Sequence, residues 1–366
     1  MKFFCEKDNI SGALLTVQKA IALRNPLPIL SGILFELKEN TLSLTATNLE
    51  MGIKCSIQVN GERNGSTVLP ARQIVELTRR LPDATILFET NEDTFATSIS
   101  YANSQAEFFG FPSSEFPTLP PVEGSSFALG GQVLKDILKQ VLFAVGNDEN
   151  RPVFTGVLVH LTEGEVVVVA TDTHRLALRR KPLEGQTIKD AQIIIPGKTF
   201  SELNKIVDGS DEVLVTVTEN QVFFSVNETI VMSRLIEGKY PNYKQVIPTE
   251  FKTTLKMNNK NLLESLERSC LLLQEGKQTI KLKLSSNKLL ITVNTELGRI
   301  CEELDMELTG EVFDISFNAK YLIDTLKALN SEDALVKLTG PTSAGIVKSP
   351  DSDDYQALVL PIWVEN

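Results

Sequence analysis

The sequence is poor in the residues that build metal centres and disulfide frameworks. Its 366 residues include two histidines and four cysteines, and no Cys-x-x-Cys pair occurs. Dispersed cysteines of this kind indicate reduced thiols that pack as small apolar side chains, namely Cys5, Cys55, Cys270 and Cys301. We therefore predict neither a metal site nor a cofactor.

Long apolar runs are also missing. No stretch approaches the roughly 18 consecutive apolar residues that a membrane-spanning helix needs. Residues 1–10 alternate apolar with charged side chains and so lack the apolar centre of a signal peptide. We expect a cytoplasmic protein without a membrane partner.

Positive charge is in deficit. The 36 Lys and Arg residues face 47 Asp and Glu residues, which gives a formal net charge of −11. This balance argues against a protein that simply coats nucleic acid. Any contact with DNA must therefore come from a local basic surface.

An internal repeat is the strongest feature that is present. A strand-like segment runs into a basic residue and then into a ten-residue helical pattern three times, at Arg72, Lys198 and Lys320. A second basic residue follows seven positions later in each copy, and apolar residues follow at positions two and nine. These residues are Arg79, Lys205 and Lys327, and Ile74 with Leu81, Phe200 with Val207 and Leu322 with Leu329.

These spacings place two stripes on each helix. At about 100° per residue, positions zero and seven lie about 20° apart, whereas positions two and nine lie on the opposite side. A charged pair on one helix is usually only a solvated face. Three copies in the same register with the buried stripe favour a common function, because random surface charge has no reason to keep this phase.

Other elements recur with the same period. Apolar helical spacing over residues 10–23, 133–145 and 262–273 precedes runs of alternating β-type residues. We predict an α+β fold of three tandem similar domains, residues 1–122, 123–248 and 249–366, each with two helices packed on antiparallel sheet. Three such domains suggest an arc with a shared concave face, which two-fold pairing would close into a ring.

The layout resembles the bacterial β sliding clamps, the β subunits of DNA polymerase III. The resemblance covers essentially the whole chain. It is carried by the segments Leu27-Pro28-Ile29-Leu30, Leu42 to Glu50, Ala170-Thr171-Asp172-Thr173-His174-Arg175-Leu176-Ala177, Tyr240-Pro241-Asn242-Tyr243 and Leu360-Pro361-Ile362.

This resemblance implies a non-catalytic homodimeric ring that encircles duplex DNA without sequence preference. It also implies a pocket that binds short peptide motifs of polymerases, the clamp loader and repair proteins. Carried over position by position, that pocket uses Phe154, Thr171, His174, Arg175, Leu176, Pro241, Val246, Leu358, Val359, Leu360, Pro361 and Ile362.

The DNA contacts predicted from the stripes are Arg72, Arg79, Arg80, Lys198, Lys205, Lys320 and Lys327, and the resemblance adds Arg24. Phe108, in an alternating run, and Leu272, at the end of an apolar helix, are candidate dimer-interface residues. Each has an ordinary core explanation as well.

The chain departs from the family pattern at three places. Thr173 stands where the family commonly has Gly, and Gln245 stands where a basic residue is often found. The tail continues beyond the Pro-aliphatic pair, through residues 363–366. These departures bear on the peptide preference of the predicted pocket.

Catalytic alternatives receive little support. Gly197-Lys198-Thr199 resembles the end of a phosphate loop, but Gln192 occupies the position of the required earlier glycine. Asp172 and His174 have no evident nucleophile nearby, and the acidic run at 351–354 lacks the glycine and distal glutamate of a calcium loop. A DNA clamp, a peptide-binding scaffold and an unrecognised enzyme remain as hypotheses, and the basic stripes favour the clamp.

Overall fold

The computed structural model describes residues 1–22, 27–162, 164–183, 190–274 and 278–363. Within these ranges one order of elements occurs three times: a strand, a first helix, four or five strands, a second helix and three final strands. The predicted α+β fold with three similar tandem repeats is confirmed. No helix in the described ranges is long and apolar enough to cross a membrane.

In its described residues the first repeat contains two α-helices and nine strands. They are β1 (Lys2–Glu6), α1 (Lys7–Val17), β2 (Gly32–Lys38), β3 (Thr41–Thr47), β4 (Met51–Gln58), β5 (Asn60–Arg63), β6 (Gly65–Pro70), α2 (Ala71–Arg80), β7 (Thr85–Thr90), β8 (Ala96–Tyr101) and β9 (Ser104–Phe109).

The second repeat has the same order within its described residues. Its elements are β10 (Ser125–Gly130), α3 (Gly131–Val141), β11 (Gly156–Thr162), β12 (Glu165–Thr171), β13 (Arg175–Pro182), β14 (Ala191–Pro196), α4 (Gly197–Ile206), β15 (Glu212–Val217), β16 (Gln221–Val226) and β17 (Thr229–Arg234). A short helix, α5 (Tyr243–Val246), follows it.

The third repeat completes the described chain. Its elements are β18 (Thr253–Asn258), α6 (Asn259–Ser269), β19 (Thr279–Leu284), β20 (Lys288–Thr295), β21 (Gly298–Asp305), β22 (Glu307–Gly310), β23 (Asp314–Asn318), α7 (Ala319–Ala328), β24 (Asp333–Leu338), β25 (Gly345–Lys348) and β26 (Tyr355–Val359).

The first helix of each repeat begins two or three residues earlier than its apolar spacing predicts, because the preceding strand runs directly into it. At α6 the turn is stabilised by Asn258, whose side chain accepts a hydrogen bond from the Asn261 N–H. Each of these helices is prolonged by a 3₁₀ turn at its C-terminal end. The second helices are all ten residues long, as predicted.

The chain divides into two compact units, residues 1–134 with 202–235, and residues 135–201 with 236–366. The first unit contains a five-stranded sheet, β5-β1-β7-β8-β9, and an eight-stranded sheet, β10-β15-β16-β17-β4-β3-β2-β6. The second contains a nine-stranded sheet, β14-β11-β12-β13-β26-β25-β24-β18-β22, and a four-stranded sheet, β21-β20-β19-β23. Each repeat thus divides its strands between two sheets, a feature that the sequence reasoning did not predict.

Two sheets continue from one repeat into the next through antiparallel main-chain pairing. At the first joint β4 pairs with β17, and Gly52 faces Met232. At the second joint β13 pairs with β26, and Leu176 faces Leu358. In both joints the second residue of the earlier strand faces the fourth residue of the later strand, so the repeats are joined in the same register.

The same tight turn follows β3 and β12. In the first copy the Thr47 hydroxyl donates to the Met51 carbonyl at 2.9 Å and accepts from the Leu49 N–H at 3.0 Å. The Asn48 side-chain oxygen also accepts from the Met51 N–H at 2.7 Å. These bonds fix a left-handed residue in the middle of the turn, since Leu49 has a φ of +75°.

The second copy reproduces these bonds atom for atom. The Thr171 hydroxyl donates to the Arg175 carbonyl at 2.6 Å and accepts from the Thr173 N–H at 3.1 Å. The Asp172 carboxylate accepts from the Arg175 N–H at 2.9 Å, and Thr173 has a φ of +79°. The repeat therefore extends to individual hydrogen bonds.

The two predicted stripes are present on the second helices α2, α4 and α7. Their apolar positions are buried, and their basic positions are exposed. The buried residues are Ile74, Leu81, Phe200, Val207, Leu322 and Leu329, and the exposed ones are Arg72, Arg79, Arg80, Lys198, Lys205, Lys320 and Lys327.

Candidate functional site

A cavity of about 230 Å³ opens at the joint between β13 and β26, within the second unit. The turn after β12, helix α5 and the end of β26 supply its walls. Its lining residues are Phe154, Thr171, Thr173, Arg175, Leu176, Tyr240, Pro241, Asn242, Tyr243, Val246, Leu358 and Leu360. A largely apolar concavity with a few polar groups is typical of a ligand site.

Strand pairing forms the floor of this cavity. Leu176 and Leu358 face each other across the joint, and both are buried. Because side chains alternate along a strand, Val359 points to the opposite side, where it lines a separate apolar cavity in the third repeat. Leu360 returns to the pocket side and is 40% exposed at its rim, where its N–H donates to the His174 carbonyl at 2.9 Å.

Arg175 is the one charged group among the described residues that line the cavity, and it is only 8% exposed. Its Nε lies 3.0 Å from Asp172 Oδ2, and its Nη1 lies 2.7 Å from Asp324 Oδ2. Its guanidinium group also stacks over the ring of Tyr321, 4.4 Å from the centroid. Two carboxylates and an aromatic face compensate for the loss of water around this cation, so the side chain is held in one orientation.

Two tyrosines, Tyr240 and Tyr243, also line the cavity. The Tyr240 hydroxyl donates to the Val169 carbonyl at 3.5 Å, and burial raises the pKa of this phenol. The Tyr243 hydroxyl lies 3.3 Å from His160 Nδ1, and burial raises its pKa as well. Both phenols therefore remain neutral near pH 7 and present apolar ring faces.

The structure brings eight of the twelve predicted pocket residues to the cavity and leaves four outside its lining. His174 lies at the surface, where its ring stacks against Tyr321 with centroids 6.4 Å apart. Val359 faces the core because side chains alternate along β26. Pro361 and Ile362 lie beyond the rim, where the Ile362 N–H donates to the Ser316 carbonyl at 2.8 Å.

Four lining residues were absent from the predicted set: Thr173, Tyr240, Asn242 and Tyr243. The sequence does contain a sign of the last three, because they belong to the Tyr-Pro-Asn-Tyr segment on which the family resemblance rests. Carrying over that segment as a whole would have found them.

The first joint carries a closed counterpart of this pocket. Its turn has the same hydrogen bonds, and the Arg234 N–H donates to the Glu50 carbonyl at 2.8 Å, as Leu360 does to His174. Gly52 occupies the position of Leu176, and the end of the Leu119 side chain lies so close over its Cα that it would have to shift to admit a Cβ. Leu119 therefore fills the position at the first joint that corresponds to the pocket at the second.

The predicted DNA contacts lie outside the pocket, on the exposed stripes of α2, α4 and α7. Arg24 lies outside the described residues. Phe108, in the edge strand β9, and Leu272, in the 3₁₀ turn after α6, are both half-buried. Their neighbours Phe109 and Leu271 are 74% and 79% exposed, so apolar surface is present at both places.

Comparison with known proteins gives matches along the whole chain. Three family models match, described as the N-terminal, central and C-terminal domains of the DNA polymerase III beta subunit, over residues 1–120, 128–242 and 244–363. The chain is 37% identical to a beta sliding clamp of Staphylococcus epidermidis over 376 aligned positions, covering 99% of each protein.

Solved structures are similar over the same extent. The DNA polymerase sliding clamp of Bacillus subtilis has a TM-score of 0.97 at 32% identity, with both chains fully covered. The DNA polymerase III subunit beta of Pseudomonas aeruginosa has a TM-score of 0.94 at 26% identity, again with full coverage.

The left-handed conformation of Thr173 leads to a prediction about stability. A β-branched residue is strained at positive φ, whereas glycine is not, so Thr173→Gly should raise the free energy of unfolding by up to about 1 kcal/mol. Urea denaturation measures this change. Thr342→Gly, at an exposed turn residue without positive φ, is the control and should not stabilise. Destabilisation by Thr173→Gly would contradict the strain argument.

Proposed function

The chain belongs to the DNA polymerase III beta subunit family, the beta sliding clamps, and on that premise we propose that it is a polymerase processivity factor. Two copies form a ring that encircles duplex DNA, slides along it in the cytoplasm and performs no catalysis itself. The observation that carries this proposal is the exposed basic stripe repeated in one register on α2, α4 and α7, each opposite a buried stripe.

The charge distribution supports sliding. Attraction to phosphates is long-ranged and independent of base sequence, so a basic surface can keep a duplex in place without reading it. The net charge of −11 repels DNA elsewhere on the molecule. Retention then depends on the closed ring and not on tight contacts, which would stop movement.

Reversing four stripe residues to Glu, at Arg72, Arg79, Lys198 and Lys205, should sharply reduce loading onto circular DNA while the fold is kept. The fold is kept because these side chains are exposed and lie opposite the buried stripe, and loading falls because the reversed charges repel phosphate. Retention of the ring on nicked circular DNA at several salt concentrations measures the effect.

The control reverses four exposed lysines outside the stripes, Lys38, Lys239, Lys252 and Lys283, with the same change in net charge. An equal loss of retention on DNA in both variants would show that retention depends on the net charge of the protein and not on the stripes. A wild-type chain that binds peptides but is never retained on circular DNA would be an interaction scaffold instead.

Unused strand edges support dimerisation. Each joint pairs the last strand of one repeat with the β4-equivalent strand of another. The last strands are β9, β17 and β26, and the β4-equivalent strands are β4, β13 and β21. The pairs β4–β17 and β13–β26 use four of these six strands. The remaining two, β9 and β21, are edge strands of their sheets. Exposed edges invite pairing with another chain, so we infer that β9 of one protomer pairs with β21 of its partner, twice per dimer.

The register of the two observed joints predicts the register of this third one. In both joints the second residue of the β4-equivalent strand faces the fourth residue of the last strand of a repeat, which places Arg299 of β21 opposite Glu107 of β9. Phe108 then faces Gly298, beside the exposed Phe109. Opposite charges directly across an antiparallel pair are stabilising by about 0.2 to 1 kcal/mol, and like charges are destabilising.

A charge swap tests this register. Glu107→Arg alone and Arg299→Glu alone should each weaken the dimer, because two like charges then face each other, and the double variant should restore it. Sedimentation velocity over a dilution series gives the dimer dissociation constant of each variant. Equal weakening in the double variant and the singles would rule out this pairing, while a strictly monomeric wild type would remove the ring itself.

We also propose that the pocket binds short motifs of polymerases, the clamp loader and repair proteins, with a Gln followed by aliphatic and aromatic residues. The buried floor of Leu176 and Leu358 can receive apolar side chains. Around it, Thr171, Arg175 and Asn242 offer polar groups that orient a peptide.

Leu360→Ala should weaken binding of such a peptide by about 5- to 150-fold, because an apolar anchor contact typically contributes about 1 to 3 kcal/mol. Fluorescence anisotropy with a labelled peptide measures the affinity. Ile362→Ala is the matched control, since Ile362 lies two residues further on and outside the cavity lining. Equal affinities for Leu360→Ala and wild type would show that the rim of the cavity is not part of the binding site.

A further inference from the structure

An acidic residue recurs within the basic stripes. Four positions after the first basic residue, the second helices carry Glu76, Glu202 and Asp324. At about 100° per residue this position lies about 40° from position zero, so the acid shares the basic face. A carboxylate there weakens the attraction of the stripe for phosphate, yet the position is acidic in all three repeats.

In the first two repeats this acid pairs with the second basic residue of its own helix. Glu76 Oε1 lies 3.3 Å from Arg79 Nη1, and its Oε2 lies 3.0 Å from Arg80 Nη2. Glu202 Oε1 lies 2.9 Å from Lys205 Nζ. The charge of Glu202 also acts on Lys19, where it opposes the effect of burial, which lowers the pKa of that lysine.

The third repeat keeps the pairing with a different acid. Asp324 is engaged by Arg175 in the pocket wall, at 2.7 Å. Its place is taken by Glu267 on the neighbouring helix α6, whose Oε1 lies 2.7 Å from Lys327 Nζ. This hydrogen bond raises the pKa of Lys327. The pairing of the second basic residue is therefore retained although another helix supplies the carboxylate.

The first basic residues differ in this respect. Within the described part of the chain, Arg72, Lys198 and Lys320 have no carboxylate oxygen within 4.0 Å. Each stripe therefore combines one basic residue without an acidic partner among the described residues with a second that has one.

Resting on the proposed function, we propose that Glu76, Glu202 and Glu267 are built-in competitors of the DNA phosphates that keep the ring mobile. A phosphate reaches Arg79, Lys205 or Lys327 only by displacing a carboxylate, and the carboxylate returns when the phosphate leaves. Because exposed ion pairs are weak and exchange readily, the stripe passes from one phosphate to the next without a strongly held state.

The test is the triple variant Glu76→Gln, Glu202→Gln, Glu267→Gln. In each protomer the three released cations should each bind a phosphate, so the slope of log affinity against log salt for a short duplex steepens by up to about 2.7 per protomer, or about 5.4 for the two-chain ring. Diffusion of loaded rings along stretched DNA, followed by single-molecule fluorescence, should become several-fold slower.

The control triple is Glu62→Gln, Glu165→Gln, Glu311→Gln. It changes the net charge equally and removes the acidic partners of Lys2, Arg180 and Lys252, which lie outside the stripes. Equal changes in both triples, or none in either, would overturn the inference. The proposed function fails separately, if wild-type rings are not retained on circular DNA.

Discussion

Main-chain pairing between β13 and β26 is the interaction on which the candidate pocket depends. It sets Leu176 and Leu358 side by side as a floor, and it directs Val359 into the core and Leu360 to the rim. A slip of one residue would reverse every one of these directions, because side chains alternate along a strand. Backbone register therefore decides which side chains line the candidate pocket.

Register also explains what the sequence could and could not predict. Periodicity located the three second helices and both of their stripes, because a core face and a charged face leave direct traces at fixed spacings. The division of each repeat between two sheets left no such trace, since strands such as β4 and β17 meet across about 180 positions of sequence. Pairing between distant strands depends on three-dimensional packing that no local pattern encodes.

The pocket illustrates the same limit at single residues. Carrying over family positions found Leu176, Val246 and Leu360, but it could not distinguish Leu358 from Val359, because both are apolar and only their direction differs. Thr173 was recognised as a departure from glycine, and the structure supplies the physical reason why the position favours glycine, a φ of +79°. Arg175 was included without any sign that Asp324, 149 positions away, would hold it.

The closed counterpart at the first joint has a consequence for how such a chain diverges after internal duplication. The hydrogen bonds of the Thr47 and Thr171 turns are the same, so the backbone scaffold for a cavity is inherited twice. What differs is a glycine beneath Leu119 in one copy and a leucine floor in the other. Gain or loss of such a cavity then requires only a few side-chain replacements, so one joint can carry an open cavity and the other a filled one on the same backbone scaffold.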